Sequence, residues 1–414
     1  MPVTVTTYIP AIRSLSSCGR KVCYANYRYR IFATEVVTVS PYSAQEAYYD
    51  SLDGNSWSAK SVVGPARFGH YTSMHLDELI YHITSTGLFA DPPVFRRFSP
   101  LPGGGLTLLN QSSVPMAGNF NWLATNTRMN KIPVVGYAFL DETTYTDQLP
   151  YAVFAANQQG SAWGVPAAAA SSGLLVAALL MKGSAYGGIP APYLFFFWVS
   201  SEVAYKLYVN YYYSPGGWNQ TKILLADALW VYDGFSVSTP NPGVMYVLYL
   251  ATGPELRLAF RTTLLDWQTV TVDPAPFSVS QDQSLSFCGI TADGNSNWMY
   301  CFWVEQPGKI WVRLVSPGGT TITDKTLVAD EGVPIYHFAV PEMYNGGGYV
   351  GLAWTLYTGD PYAYPLRHHL WQVPPMPQPT PTPYDYSGRD SYENMPSSVR
   401  IGALRSQRNT GVRK

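Results

Sequence analysis

Residues 29–57, YRIFATEVVTVSPYSAQEAYYDSLDGNSW, carry an arginine, a carboxylate and an indole in a β-rich setting. Arg30 offers a planar fork of donors, Glu46 offers two acceptor oxygens, and Trp57 offers a flat apolar face. Such a fork and such a carboxylate supply donors and acceptors in fixed directions. The same residues have a plainer use, with Arg30 and Glu46 as a cross-strand ion pair and Trp57 in the core.

No other set of reactive side chains pairs a nucleophile with a base. The six histidines are His70, His75, His82, His337, His368 and His369. His70 and His75 differ in parity along one run and so point to opposite sides, as do the adjacent His368 and His369. They suggest no metal site, and no motif calls for a cofactor. Asn110-Gln-Ser and Asn219-Gln-Thr are glycosylation sequons. Four cysteines fall in two close pairs, Cys18 with Cys23 and Cys288 with Cys301. Folded about Gly294-Asn295, the second pair would face across a hairpin at about 4.5–5.5 Å between β-carbons, near disulfide range. Two disulfides and two pairs of reduced buried thiols are both open.

The elements that must position these groups repeat. SPGGWNQTKILLAD at 214–227 returns as SPGGTTITDKTLVAD at 316–330. Before each comes an apolar strand, a polar turn and a second apolar strand. The same plan occurs at 243–273, with its turn at Thr252-Gly-Pro-Glu255, and hairpins on the same grid occupy 29–50, 77–100, 132–156 and 348–373. A spacing of about 50 residues is that of a four-stranded propeller blade. Inner strands are expected at 173–181, 284–291 and 335–340, and outer strands at 57–63, 222–225, 268–272 and 320–327. The last hairpin has no outer strand after it, because PPMPQPTPTPY follows Val373 and cannot join a ladder. PVTVTTYI, at 2–9, alternates like a strand and has no partner of its own. It is expected to close the ring as the outer strand of the last blade.

Composition agrees. Charged residues are 13% of the chain, about half the globular norm. Aromatics are 15%, and Tyr and Trp favour strands. A net charge of −1 gives no field to draw in nucleic acid or acidic membranes. The most apolar run, 165–181, contains Pro166 and Gly173 and reads as a loop plus one buried strand rather than a membrane span. No basic head followed by an apolar block marks a secretory signal. The chain is expected to be made in the cytosol and to act outside the cell or on a virion surface.

Two resemblances bear on function. SLDGNSWS at 51–58 and TADGNSNW at 291–298 resemble the Asp-box of sialidase-type propellers. In that motif an Asp and a hydroxyl tie a hairpin turn, a Gly takes a positive φ and a Trp packs between sheets. Here the Gly comes one place early, so Asn55 or Asn295 is expected at the left-handed position. Where a sialidase carries an early Arg-Ile-Pro, this chain has Tyr8-Ile9-Pro10. Residues 29–57 also resemble one blade of the fucose-binding fungal lectin propellers. That resemblance implies that Arg30 and Glu46 bond sugar hydroxyls, with Trp57 at the blade corner. No other blade repeats the pair; 79–98 has Arg96 and Arg97 but no Glu in register.

The reading is an all-β, seven-bladed β-propeller at 1–375, closed by its N-terminal strand, followed by a Pro-rich linker and disordered basic tail at 376–414. Six blades and two β-sandwich domains are the alternatives. The expected function is non-enzymatic recognition of surface glycans or proteins, as in lectin-like adhesion. One alternative is a structural or attachment subunit of a virion or other large particle. Its anchor would be residues 396–414, where Arg400, Arg405, Arg408, Arg413 and Lys414 stand without nearby acids and nucleic acid would find its only foothold. A sialidase-like glycoside hydrolase is the other.

Overall fold

A computed structural model of the chain describes residues 1–6, 21–39, 42–66, 73–76, 79–84, 92–116, 119–129, 132–140, 148–169, 175–182, 193–200, 204–213, 217–219, 221–231, 234–239, 245–261, 266–278, 286–293, 296–341, 343–344, 348–359 and 364–374. These form seven sheets of four or five strands. Each is a blade of antiparallel strands; in blades one to six these run in chain order from inner to outer edge, and blade six adds Met343–Tyr344, which pairs parallel with its inner strand Cys288–Asp293. Inner strands of blades one to four and of blades five to seven touch in succession, blades four and five share one apolar cluster, and the inner strand of blade one also touches blade seven. The chain is a seven-bladed β-propeller, which excludes both six blades and paired sandwiches. No helix among the described residues is long and apolar enough to cross a membrane. The run at 165–181 instead supplies the inner strand of blade four, Leu175–Lys182. The tail beyond residue 374 and Cys18 lie outside the described residues.

The strand pattern follows from stacking. A middle strand is covered on both faces by neighbouring blades, so it reads as a continuous apolar run rather than an alternating one. In blade six the second strand, Met299–Glu305, is buried throughout, and so is its counterpart in blade five, Tyr246–Ala251. Trp198, Trp303 and Trp354 sit in the second strands of blades four, six and seven and are fully buried. Outer strands have one wet face, and in blade two Leu106–Ser113 is mostly exposed.

The repeated phrase has a structural reason. Its last glycine, Gly217 in one copy and Gly319 in the other, takes a positive φ of 84° or 71° and turns the chain toward the outer strand. A Cβ on Gly319 would also press into Val270 and Phe260 at about 3 Å. The lysine that opens each outer strand lies over an aromatic ring of the third strand. Lys222 is 4.2 Å from the Tyr208 centroid, and Lys325 is 4.8 Å from that of Trp311. The two copies thus share a left-handed glycine and a cation–π clasp.

Blade seven is Ile335–Ala339, Tyr349–Leu356 and Leu366–Gln372, completed by Val3–Thr6 from the chain start. The added strand pairs antiparallel with the third strand, Val3 opposite His368 and Thr4 opposite Arg367. Arg367 secures it. Its guanidinium donates to Thr4 Oγ1, to the Pro2 carbonyl at 3.4 Å and to both oxygens of Glu331 at 3.2 and 3.4 Å.

Of the two readings open for Cys288 and Cys301, the structure has the reduced thiols and no disulfide. The hairpin turns later than Gly294-Asn295, so Cys288 faces Trp303 and Cys301 faces Ile290. Both are reduced, fully buried thiols, and burial pushes the Cys301 thiol well up. Cys23 is also free and buried, its thiol pushed up to about 11 by desolvation despite the nearby Arg30.

Arg367→Ala is expected to cost about 1–3 kcal/mol in denaturant unfolding. Removing residues 1–6 bares the edge of Leu366–Gln372, and the truncated chain is expected to self-associate in light scattering. An unchanged unfolding midpoint and a monodisperse truncation would show that the added strand contributes nothing to closure.

Candidate functional site

Arg30 and Glu46 do lie on neighbouring strands of blade one, Arg28–Val39 and Tyr42–Ser51, but they are not partners. Arg30 faces Asp50, and Glu46 faces Thr34. Four residues of strand separate the two levels, about 13 Å at the usual rise. At that separation Arg30 and Glu46 form no cross-strand ion pair, and Trp57 packs against His368 rather than joining them.

Arg30 has no exposed surface. Its Nη1 donates to the Ala25 carbonyl at 2.5 Å, and Nη2 reaches the Leu101 and Gly105 carbonyls of blade two at 3.3 and 3.5 Å. Beside it Arg28 forms an ion pair with Asp50 at 2.6 Å, and Asp50 also accepts from the Gly105 N–H. This group ties the turn of blade two to blade one.

Glu46 enters a different cluster at the same seam. Lys21, directly before the inner strand, donates to Oε1 at 2.6 Å, and Thr34 donates to Oε2 at 2.6 Å. His82, on the second strand of blade two, approaches Oε1 through Nε2 at 3.2 Å while stacking on Phe32. All four polar groups are buried. Burial alone would push the Glu46 carboxyl up. The Lys21 ammonium, His82 and the hydrogen bonds from both overcome that and hold it at about 2. Burial pushes His82 the other way, down to about 4, against the pull of Glu46. Arg96 lies within the field of Glu46, its Nη1 donating to Thr84 at 2.6 Å and its Nε to Gln111 at 2.9 Å. The sequence marked Glu46 but missed Lys21, His82 and Arg96 as its company. A charged residue inside an otherwise apolar strand run was the available signal.

Trp57 belongs to the turn at 51–58. Ser51 Oγ and the Asn55 and Ser56 N–H groups donate to Asp53 Oδ1 at 3.0, 2.8 and 2.7 Å. Those backbone donors, Ser56 before Asn55, hold the Asp53 carboxyl at about 2. The left-handed residue is Gly54, with φ 71°, rather than Asn55. In the second copy it is Asn297, with φ 58°, while Asn295 lies outside the described residues. Trp57 sits edge-on to His368 of blade seven, 4.8 Å between centroids, and His368 Nδ1 donates to the Gly54 carbonyl at 2.9 Å. Burial drives His368 down to about 3 despite that bond. The Asp-box-like turn is therefore a fastener between blades seven and one.

Accessible chemistry lies on blade seven. Tyr336, from the inner strand, and Tyr364, just before the third strand, stack at 4.8 Å with planes 3° apart. Tyr357, just after the second strand, lies 5.9 Å from each at 25° and 29°. Tyr364 is buried, whereas Tyr357 is 41% exposed, so two fixed rings hold an open one in place. Sequence reasoning recognised this hairpin but not its rings; the Tyr-rich turn TLYTGDPYAYP at 355–365 was the signal. Among the described residues no cluster of His, Cys, Asp and Glu could hold a metal ion.

No protein-family model matches the sequence, and no curated protein matches it. Solved structures do. The chain resembles the BP39L lectin from Burkholderia pseudomallei at a TM-score of 0.54 and 13% identity, covering 90% of this chain and 100% of that one. Aleuria aurantia lectin follows at 0.45 and 10%, covering 76% and 96%. The NanB sialidase from Streptococcus pneumoniae stands at 0.44 and 11%, covering 89% and 70%. The first likeness bears on architecture; the other two are too distant to argue from.

The buried histidines make stability fall in acid. In an unfolded chain His protonates near 6.5, but His82 and His368 resist until about 4 and about 3. Their contribution is complete above pH 6.5 and is lost below it, at about 1 kcal/mol per pH unit for each histidine. Glu46 adds a further loss from its ordinary 4.5 down to about 2. Denaturant midpoints measured from pH 7 to 4 are expected to show this slope, and His82→Asn is expected to remove about half of it.

Proposed function

We propose that the chain is a non-enzymatic binding propeller that recognises surface glycans or glycosylated proteins, in the manner of a lectin. The observation that carries this reading is the Tyr336–Tyr357–Tyr364 stack, which holds one ring of Tyr357 open to solvent. A rigid ring with a free face offers contact area at little entropic cost, and its hydroxyl can bond a sugar hydroxyl. Exposed and preorganised aromatics are the residues that dominate binding surfaces. The architecture shared with a protein described as a lectin supports the same class of activity.

Arg30 and Glu46 take a supporting part in this reading. Their side chains are spent on partners within the seam, so they hold blade one against blade two. Arg30→Ala is expected to lower the unfolding midpoint, because it removes a buried donor from the Ala25 carbonyl and cuts the tie to the Leu101 carbonyl of blade two.

The test is an array of immobilised neutral and sialylated oligosaccharides. The parent chain is expected to be retained on a subset. Tyr357→Ala is expected to weaken retention about tenfold, equivalent to about 1.4 kcal/mol, with little change in stability because the ring is part-exposed. A silent array, or a Tyr357→Ala variant retained like the parent, would remove the reading. Release of dye from a fluorogenic sialoside would replace it with hydrolysis.

A further inference from the structure

The turn between the first two strands of blade one is two residues long, Asn26 and Tyr27, and both have positive φ, 49° and 63°. This mirror-image turn matches the twist of its strands and favours Asn followed by Gly. A tyrosine at the second place is a strained choice for a bulky L-residue. Packing within the chain does little to offset it, since Tyr27 is 70% exposed. Strain retained at an exposed position points outward, to something the side chain meets.

The mounting is rigid. Asn26 Nδ2 donates to the Pro100 carbonyl of blade two at 2.8 Å. The next residue, Arg28, is locked to Asp50 at 2.6 Å. Tyr24 and Tyr29 pack together behind the turn, 4.7 Å between ring centroids. The exposed ring offers an apolar face and a hydroxyl that can bond a sugar hydroxyl, the same recognition chemistry assigned to Tyr357.

The two rings lie on opposite faces. In an antiparallel blade, turns alternate between ends. Tyr27 is in a first-to-second turn, and its neighbour Asn26 bonds Pro100, at the third-to-outer turn of blade two. Tyr357 follows the second strand, and its N–H bonds Pro334, in the link from blade six to blade seven. Each bond joins turns that belong to one face, and the faces differ.

We propose that the Asn26–Tyr27 turn is a second saccharide-contact site, placed opposite Tyr357 so that a single copy of the chain bridges two glycan-bearing surfaces. This rests on the glycan reading above. Two weak sites facing apart cannot grip one surface together, but they can join two, and the gain is one of avidity between particles.

The experiment uses the monomeric full chain with the same oligosaccharide panel in two formats, a flat chip and coated latex beads. The parent is expected to be retained on the chip and to agglutinate the beads. Tyr27→Gly is expected to stay on the chip within about twofold of the parent while agglutination falls at least about tenfold. Its thermal midpoint is expected at, or up to about 2 °C above, the parent's, because glycine relieves the turn. Tyr27→Phe, which keeps the ring, is expected to agglutinate. A parent that holds the chip but never agglutinates, or a Tyr27→Gly chain that agglutinates like the parent, overturns the second site and leaves the first standing. A midpoint lowered by more than about 3 °C would overturn it too, by making the ring a structural staple. A parent that ignores the chip removes the ground of both.

Discussion

A sheet edge carries unpaired N–H and C=O groups, and a ring of blades meets that problem at the place where it must close. Blades one to six each build a full set of strands, inner to outer, from consecutive chain. Blade seven runs out after three and takes its outer strand from Val3–Thr6. The ladder from Val3 to His368 and the Arg367 contacts therefore do more than finish one sheet. They set which blade is last, and they bring blade seven against blade one so that Trp57 and His368 can meet. Both the fastened seam and the Tyr357 face stand on that join.

The seams around the ring differ in what fills them. Between blades five and six the contact is apolar, with Leu248, Leu258, Ile290 and Trp303 in one cluster. Between blades one and two it includes Lys21, Glu46 and His82. Buried charge of this kind gives little stability by itself compared with apolar packing, but leaving one member unpaired is costly. A chain with few charges has buried several here: Lys21 and Thr34 satisfy Glu46 within blade one, and His82 of blade two adds a contact across the seam.

Much of the architecture was legible because it is written in one dimension. Strands covered on both faces become apolar runs, turns demand Gly and Pro, and the phrase Ser-Pro-Gly-Gly returns wherever the same turn is built. The lone strand at the start and the missing one at the end could be matched by counting. The site was much less legible. Lys21, Glu46, His82 and Arg96 are scattered along the chain and share a location only because two blades touch. A modest shift of register decided that Cys288 would face Trp303 instead of Cys301. The local motif at 51–58 was read correctly in kind and misplaced by one residue, since Gly54 rather than Asn55 takes the left-handed conformation. For Tyr27 and Tyr357 the residue type was plain, but which rings are propped open depends on neighbours that no local pattern reveals.

The borrowed strand also imposes an order of events. During translation Val3–Thr6 leaves the ribosome before any blade exists, and its partner Leu366–Gln372 comes more than three hundred residues later. At a typical elongation rate of about 5–20 residues per second, the nascent chain carries an orphan β-segment for tens of seconds. Contacts so distant in sequence are slow to form. Completion of the circle thus waits until Leu366–Gln372 has been made, and a product that stops short of it is left with two sticky ends.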